Sequence, residues 1–495
     1  LPASMPGRNK KKPGDFFYRI PVACLSGVLL SFAFPPRHYW PIAFFALVPA
    51  FLTSYPRPRA EFFRGWLAGL VFYAITLFWL TKVAGVIYLL LAVYLSFFWG
   101  LFFFLVKILP ASGLIPLTAC TWFFLEIIAS SLFTGFPWLV LGLSQYSNRF
   151  LLPLSAYVTV YGLSSIVVFF NLLFSFGWRR HYLYSWLATV PLLFFIVAAA
   201  HYGGKQTKIN GWLKILLIQE NISSAQRFSP EEIFQAHYQT TKNLLLKEKV
   251  DLVIWPESSY PDLLNMRVDL VRKLKELTSR YSCSLLLGSL SQIGEDMFNT
   301  AYLFIGEKVQ IYQKTHLVPY GEFLPGAKNP VIRKIFYHFA GYIPRLQYGK
   351  EFSVFNLPVE GKNVRISVLI CFENIFPEIS RKFALQGSQA FFVLTNDSWF
   401  GQSQGPYQHF AHNLLRSAET GRYFIQSALT GITGIVSPCS GITSTLEKEG
   451  KKIFVRGYLR GTVPLVTGQT FALRYGVLPL ALVLLFITGV ILCRI

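Results

Sequence analysis

Three residues at the ends of three apolar runs have the types needed for nucleophilic chemistry: Glu257, Lys314 and Cys371. The runs are Leu252-Val253-Ile254-Trp255-Pro256-Glu257, Val309-Gln310-Ile311-Tyr312-Gln313-Lys314 and Ile366-Ser367-Val368-Leu369-Ile370-Cys371-Phe372-Glu373. Each begins as a β-branched stretch of strand length. Each polar residue sits where the strand runs out, which is where open α/β sheets place their chemistry. Brought together, Glu257 takes the thiol proton and Cys371 attacks a carbonyl, while Lys314 lowers the thiol pKa and steadies the oxyanion. Taken singly, each has a plainer reading. A lone Cys packs as a small hydrophobe, and a lone Lys or Glu is solvated.

The surroundings of the three residues carry a pattern. Trp255-Pro256-Glu257, then Lys314 leading into Leu317-Val318-Pro319-Tyr320-Gly321-Glu322, then Cys371-Phe372-Glu373, resemble the nitrilase superfamily in order and context. Asn396-Asp397-Ser398-Trp399-Phe400-Gly401, followed by Gly405-Pro406 and Gln408-His409, extends the match. With the apolar spans described below, the resemblance narrows to the apolipoprotein N-acyltransferase family and covers nearly the whole chain.

That resemblance implies an α-β-β-α sandwich carrying a Glu-Lys-Cys triad, working without a cofactor. It implies transfer of a fatty acyl group from a phospholipid, phosphatidylethanolamine foremost, through a thioester on Cys371. The acceptor is the N-terminal amino group of a diacylglyceryl-modified cysteine on an apolipoprotein. Glu322 matches a Glu that supports the catalytic Lys; here it pairs with Lys314 or accepts from the substrate amine, unless it is a solvated loop residue. Glu373, two residues after the nucleophile, returns to the Cys371 face if the strand continues. Phe372 stands where the family commonly has Tyr, which removes a hydroxyl and keeps the ring; its backbone amide and Lys314 are candidate oxyanion donors. Asn299 and Arg333 match a family Asn near the triad and an Arg in a long arm. Phe228 stands where relatives often have Trp. Trp399 and Phe400 either wall the acyl chain or pack in the core.

Composition points to a lipid surface. Charged residues are 14 % of the 495, against roughly a quarter in a soluble domain, and 47 residues are Phe. The net charge of +22 reads as basic flanks of apolar spans facing anionic lipid. No nucleic-acid module stands out, so a nucleic-acid partner is not expected. Of six cysteines, Cys24, Cys120 and Cys493 lie in apolar spans, and Cys283, Cys371 and Cys439 in the polar part. That odd number leaves at least one thiol unpaired there, assigned to Cys371; pairing of Cys283 with Cys439 stays open. No CxxC or His cluster suggests a metal.

The chain reads as a membrane α-helical bundle plus an α/β domain. Residues 1–18 form a basic leader, with Leu1 to Ser4 a candidate remnant before Met5. Apolar spans at about 19–34, 39–54, 65–81, 85–108, 112–133, 151–177 and 183–202 make seven crossings, and 472–493 an eighth. The first two, parted by Pro35-Pro36, suggest a tight hairpin that only partly crosses. With the N-terminus in the cytoplasm, the cytoplasmic ends hold Arg8, Lys10, Lys11, Lys12, Arg19, Arg57, Arg59, Arg64, Lys107, Arg179, Arg180 and Arg494. The opposite short loops hold Arg37, Lys82 and Arg149. This bias places residues 203–471 outside the cytoplasm, on the periplasmic side of a bacterial inner membrane.

Within 203–471, strand-like runs at about 213–219, 251–256, 284–290, 300–306, 309–313, 364–370, 390–395, 423–429, 433–437 and 461–466 alternate with helical stretches at 230–249, 262–281, 376–387 and 406–421. Residues 323–350, rich in Pro, Gly and aromatics, break the pattern. They read as an active-site lid or membrane-dipping arm rather than an ordinary loop. Two rival functions remain on these residues: a membrane-tethered amidase using the same triad with water, and a transporter or receptor in which the triad is structural.

Overall fold

A computed structural model describes residues 15–108, 115–176, 207–222, 228–340, 342–438, 441–479 and 481–482, with the isolated positions 194 and 198. Most of the leader, most of the spans expected at 183–202 and 472–493, and Cys439 lie outside the described residues. The rest falls into two compact units, one within 1–129 and 165–190, the other within 130–164 and 191–495.

The first unit is helical. It contains α1 (Asp15–Ser31), α2 (Val48–Leu52), α3 (Pro58–Thr76), α4 (Thr81–Ala84), α5 (Tyr88–Ile108) and most of α6 (Ile115–Ser131). Aromatic rings fill it: Phe72 stacks on Trp99 with centroids 5.4 Å apart, and Phe102 meets Trp122 edge-on at 4.9 Å. Helices α3 and α5 approach closely because α3 offers a glycine there; a Cβ on Gly69 would lie 2.7 Å from the Trp99 ring. Two expectations change here. The second span is no continuous helix, but a 3₁₀ turn (Trp40–Phe44) followed by the short α2. The third begins at Pro58 rather than residue 65, because Pro58 stands at the first helical turn where its missing N–H costs nothing. Arg64 is therefore inside a helix, buried and paired with Glu61, and donates to the Ala50 carbonyl. It is not a free flanking charge.

By length and composition, two described helical stretches can cross a membrane, Phe78–Ile108 and Leu152–Phe176. Tyr18–Ser31 and Ile115–Ser131 are shorter apolar helices, and Trp40–Leu52 is a shorter apolar stretch interrupted between its two helical pieces. The long α7 (Ser155–Phe176) breaks at Thr159, whose φ is +63°. The Val160 amide freed by this break donates to Glu419 Oε1 at 2.7 Å, a carboxylate cap on a helix start.

The second unit is built on two sheets. The first runs β13-β1-β2-β4-β5-β6 with β3 also on β4; the second runs β12-β11-β10-β9-β8-β7. The first comprises β1 (Thr207–Gln219), β2 (Leu252–Ile254), β3 (Tyr260–Leu263), β4 (Ser284–Ile293), β5 (Asp296–Ile305), β6 (Lys308–Gln313) and β13 (Gly457–Gly468). The second comprises β7 (Phe355–Val359), β8 (Lys362–Ile370), β9 (Ala390–Thr395), β10 (Tyr423–Ala428), β11 (Gly434–Ser437) and β12 (Gly441–Thr445). Parallel pairs β1/β2, β2/β4, β8/β9 and β9/β10 form the centres, which explains their unbroken apolar runs.

Helices cover both outer faces. Phe234 and Leu245 of α8 (Pro230–Leu245), with Leu270, Leu274 and Leu277 of α9 (Val268–Tyr281), pack on Val253, Leu285 and Phe304 of the first sheet. The α12 helix (Gly405–Thr420), preceded in the chain by α11 (Pro377–Leu385), lies on the second, where Asn413 donates to Gln426 Oε1 at 2.6 Å. Between the sheets, Thr433 donates to Gln219 and Gln219 to the Gly431 carbonyl. The layers thus run helix, sheet, sheet, helix. Strands β3, β7 and β12 and the helix α10 (Pro330–Ala340) go beyond the sequence reading. The arm at 323–350 is therefore not all loop.

Candidate active site

Glu257, Lys314 and Cys371 follow the C-terminal ends of β2, β6 and β8, two from one sheet and one from the other. Glu257 and Lys314 are buried, and Cys371 keeps part of its surface open. The three groups lie close enough to act on one another's ionisation.

Glu257 is fixed at both oxygens. Oε1 accepts from Asn299 Nδ2 at 2.7 Å, and Oε2 from the Asn396 amide at 2.8 Å. Burial nevertheless pushes its carboxyl above the usual carboxylate range; Lys314 opposes that and Glu322 adds to it. Gly288 on β4 makes room for its backbone, since a Cβ there would lie 2.7 Å from the Glu257 Cα. Lys314 Nζ meets Glu322 at 2.9 Å, and Glu322 Oε2 also accepts from the Val318 amide at 2.7 Å. Burial alone would lower the ammonium, but Glu322, Glu257 and Cys371 outweigh it and hold Lys314 above its ordinary value. Glu322 is thus the partner of Lys314 rather than a solvated loop residue.

Cys371 adopts a φ of +50°, the left-handed region that few non-glycine residues enter. Such a conformation costs on the order of 1–3 kcal/mol and turns the chain sharply at the strand end. Burial raises the thiol well above its ordinary pKa, reinforced by Glu257 and only partly countered by Lys314. The expectation that Lys314 lowers the thiol pKa holds for its own contribution, but desolvation wins. Cys371 rests as a thiol.

The sharp turn also corrects the reading of Glu373. A 3₁₀ turn (Cys371–Ile375) begins at Cys371, so no strand carries Glu373 back to the Cys371 face. Its buried carboxylate instead takes the Ile370 amide on one oxygen. The other takes the Tyr312 hydroxyl and the Thr315 and His316 amides, at 2.7, 2.7 and 3.1 Å. Glu373 ties the end of β8 to the end of β6.

Asn299 bridges, donating to Glu257 and, at 2.9 Å, to Glu322. Phe372 is buried, its ring stacked 6.3 Å from Trp138. Trp399 is 60 % exposed, which excludes plain core packing, whereas Phe400 meets Trp138 edge-on. Phe228 is exposed, as is Arg333 on α10. Among the described residues, no side-chain hydrogen bond joins these last two to the cluster. Cys283 is a free, buried thiol.

Residues 26–173 match the family model for the apolipoprotein N-acyltransferase N-terminal domain, and residues 194–455 match that for carbon-nitrogen hydrolases. An apolipoprotein N-acyltransferase of Geobacter metallireducens is 31 % identical over 92 % of this chain and 91 % of its own. The chain belongs to the apolipoprotein N-acyltransferase family. A second member, from Pseudomonas paraeruginosa, is 28 % identical over 93 % of each chain. Among solved structures, a CN-hydrolase superfamily protein of Xanthomonas campestris covers 51 % of this chain and 91 % of its own, at 16 % identity and a TM-score of 0.37.

The N-terminal family segment supplies a residue that sequence reasoning missed. Trp138 lies in it, at a 3₁₀ turn (Pro137–Leu139), and is buried beside the cluster. Its Nε1 donates to Gln408 Oε1 at 2.9 Å, its carbonyl faces His412 Nε2 at 3.0 Å, and its ring stacks on His409 with centroids 5.5 Å apart. His409 and Asp397 were also passed over as chemistry, although both stand in the quoted motifs. One donor atom from each of Cys371, Asp397 and His409 falls within 4.8 Å of the others. That spacing would suit a single ion. Asp397 Oδ1 and His409 Nδ1, however, bond each other at 2.8 Å, so these two atoms form a hydrogen-bonded pair beside the thiol.

Proposed function

We propose that the chain transfers a fatty acyl group from a phospholipid to the N-terminal amino group of a diacylglyceryl-cysteine on an apolipoprotein, as a step of lipoprotein maturation. The observation that carries this is the buried gathering of one carboxylate, one ammonium and one thiol at strand ends. In the first half, Cys371 Sγ attacks the ester carbonyl as Glu257 takes the thiol proton. The raised thiol pKa makes proton transfer part of the attack rather than a step before it. Lys314 and the Phe372 backbone amide receive the oxyanion. Collapse expels the lysophospholipid alkoxide, which takes the proton back from Glu257, and leaves a thioester. In the second half the acceptor amine attacks, Glu257 accepts its proton, and the proton returns to sulfur as the C–S bond breaks.

The donor in this reading is phosphatidylethanolamine, and the setting is an eight-span arrangement in the inner membrane. Residues 203–471 face the periplasm, a placement supported by the basic bias at the cytoplasmic ends even with the buried Arg64 set aside. The arm at 323–350 serves as a lid or lipid contact. Val331 and Tyr337 on α10, and Tyr342 beyond it, expose apolar surface that suits this role. Trp399 walls the acyl chain.

The test is the mass of the full chain after incubation with phosphatidylethanolamine vesicles alone. An added acyl mass on the peptide holding Cys371, released by hydroxylamine, is the expected result. An unmodified Cys371 under conditions that give N-acylated lipopeptide would overturn the thioester route.

A further inference from the structure

We infer that His409 is a positioning residue for Cys371: Nδ1 bonds Asp397, and Nε2–H donates to the Cys371 carbonyl. The inference rests on the reading of Cys371 as the nucleophile and adds how its backbone is held. Nδ1 lies 2.8 Å from Asp397 Oδ1, and Nε2 lies 3.2 Å from the Cys371 carbonyl oxygen. A carbonyl oxygen can only accept, so Nε2 must carry a hydrogen. Asp397 Oδ1 also accepts from Thr395 Oγ1 at 2.7 Å, which fixes it opposite Nδ1. A neutral ring has one N–H and cannot serve both contacts. Nδ1 and Asp397 Oδ1 therefore share one further hydrogen between them, and wherever it lies Nε2 donates.

The ring cannot swing away from this task. Trp138 stacks on one face at an interplanar angle of 18°, and Phe400 abuts it edge-on with centroids 6.1 Å apart. Asp397 comes from the turn after β9, His409 from α12, and Cys371 from the end of β8. Three elements thus meet at one ring. Charged and titratable groups around it are Asp397, Cys371 itself and the buried His412 one turn on. Burial first, then Arg416 and His409, push His412 well below the ordinary imidazole range. The bond to the Cys371 carbonyl falls on a residue held in the left-handed region. A donor there opposes relaxation of that turn, and relaxation would re-aim Sγ.

The test compares His409→Phe, His409→Gln and Asp397→Asn with the parent chain in detergent. It follows acyl-adduct formation, KM for phospholipid and thermal unfolding. His409→Phe keeps the ring against Trp138 and loses both ring nitrogens; adduct formation should fall ~10–100-fold at unchanged KM, as a misplaced nucleophile does. His409→Gln returns an N–H near the Nε2 position and should recover much of that loss. Equal losses in both variants, or acylation at the parent rate in His409→Phe, would overturn the positioning role. The parent chain gives an independent readout if the variants do not fold. With ring-¹⁵N histidine and carbonyl-¹³C cysteine, the ring nitrogen dipole-coupled to a cysteine carbonyl should resonate as protonated; a bare nitrogen there sinks the inference. Failure of the thioester reading is separate, because it would appear as an adduct persisting in Cys371→Ala.

Discussion

Asn299 donates its side-chain amide to Glu257 at 2.7 Å, and the same nitrogen reaches Glu322 at 2.9 Å. One neutral donor therefore stands between two carboxylates and stabilises the charged form of the proposed base. Glu257 works as a base only when ionised, so acylation falls as pH drops through its pKa. Burial sets that pKa above the usual carboxylate range, and the acid limb of the rate should lie correspondingly high. Removing the Asn299 bond raises the Glu257 pKa further. Asn299→Ala should move the acid limb to higher pH and slow acylation ~10–100-fold at neutral pH, the worth of a hydrogen bond to a charged group. An unmoved limb in a pH–rate profile would refute this.

Glu322→Gln should shift the same limb the other way. Glu322 raises the Glu257 pKa, so neutralising it lets Glu257 ionise at lower pH. The substitution also strips Lys314 of its nearest charged partner. Adduct formation should slow, while an adduct once formed should pass to lipopeptide at close to the normal rate. The measurement adds acceptor only after acylation. A rapid adduct with slow release would instead assign Glu322 to the amine half.

Cys371 should alkylate slowly at neutral pH for a proposed nucleophile. Its thiol is raised by burial, so the thiolate fraction keeps growing as pH climbs past the ordinary thiol value. Haloacetamide labelling followed by mass spectrometry should show a rate still rising at pH 9. A plateau below neutrality would mean a preformed thiolate and would overturn this electrostatic account. Lys314→Ala should slow labelling and cut acyl transfer on the order of a hundredfold or more, through the lost oxyanion donor.

Gly288→Ala should damage activity more than stability. The added Cβ would sit 2.7 Å from the Glu257 Cα and 3.2 Å from the Pro256 carbonyl oxygen, which are backbone atoms that cannot turn aside. Overpacking of this kind costs about 1–3 kcal/mol, and the displacement falls on the proposed base. Calorimetry should find a modest loss of stability, and adduct kinetics a loss of at least tenfold. Normal kinetics would show that Glu257 tolerates the shift.

The strand ends were legible because their runs are apolar and β-branched, a pattern that survives without tertiary context. Glu322 was legible as a partner of Lys314 only to the extent that the motif placed it eight residues on. The turn at Cys371 was not legible. Positive φ normally announces itself as glycine, and here a cysteine takes it, so Glu373 was assigned to the wrong face. Trp138 was missed because its segment lies far from the triad in sequence, between apolar helices, with no periodicity of its own. His409 stood in plain view, but its two partners come from elements that only folding brings to one ring. The helix α10 was masked by the flanking Pro and Gly residues that also made the arm conspicuous.

Strand β1 pairs antiparallel with β13, from Thr207 opposite Gly468 to Gln219 opposite Gly457. The first strand of the unit therefore waits for the last one. While the ribosome is still making residues 220–456, β1 can join β2 on one side, but its other edge shows a row of unpaired amides and carbonyls to any passing chain. Synthesis at ~5–20 residues per second leaves that edge open for on the order of tens of seconds. A stop codon anywhere before Gly457 would leave it open for good, so even a truncation that spares every proposed site residue should yield an aggregating, degraded chain rather than a smaller enzyme.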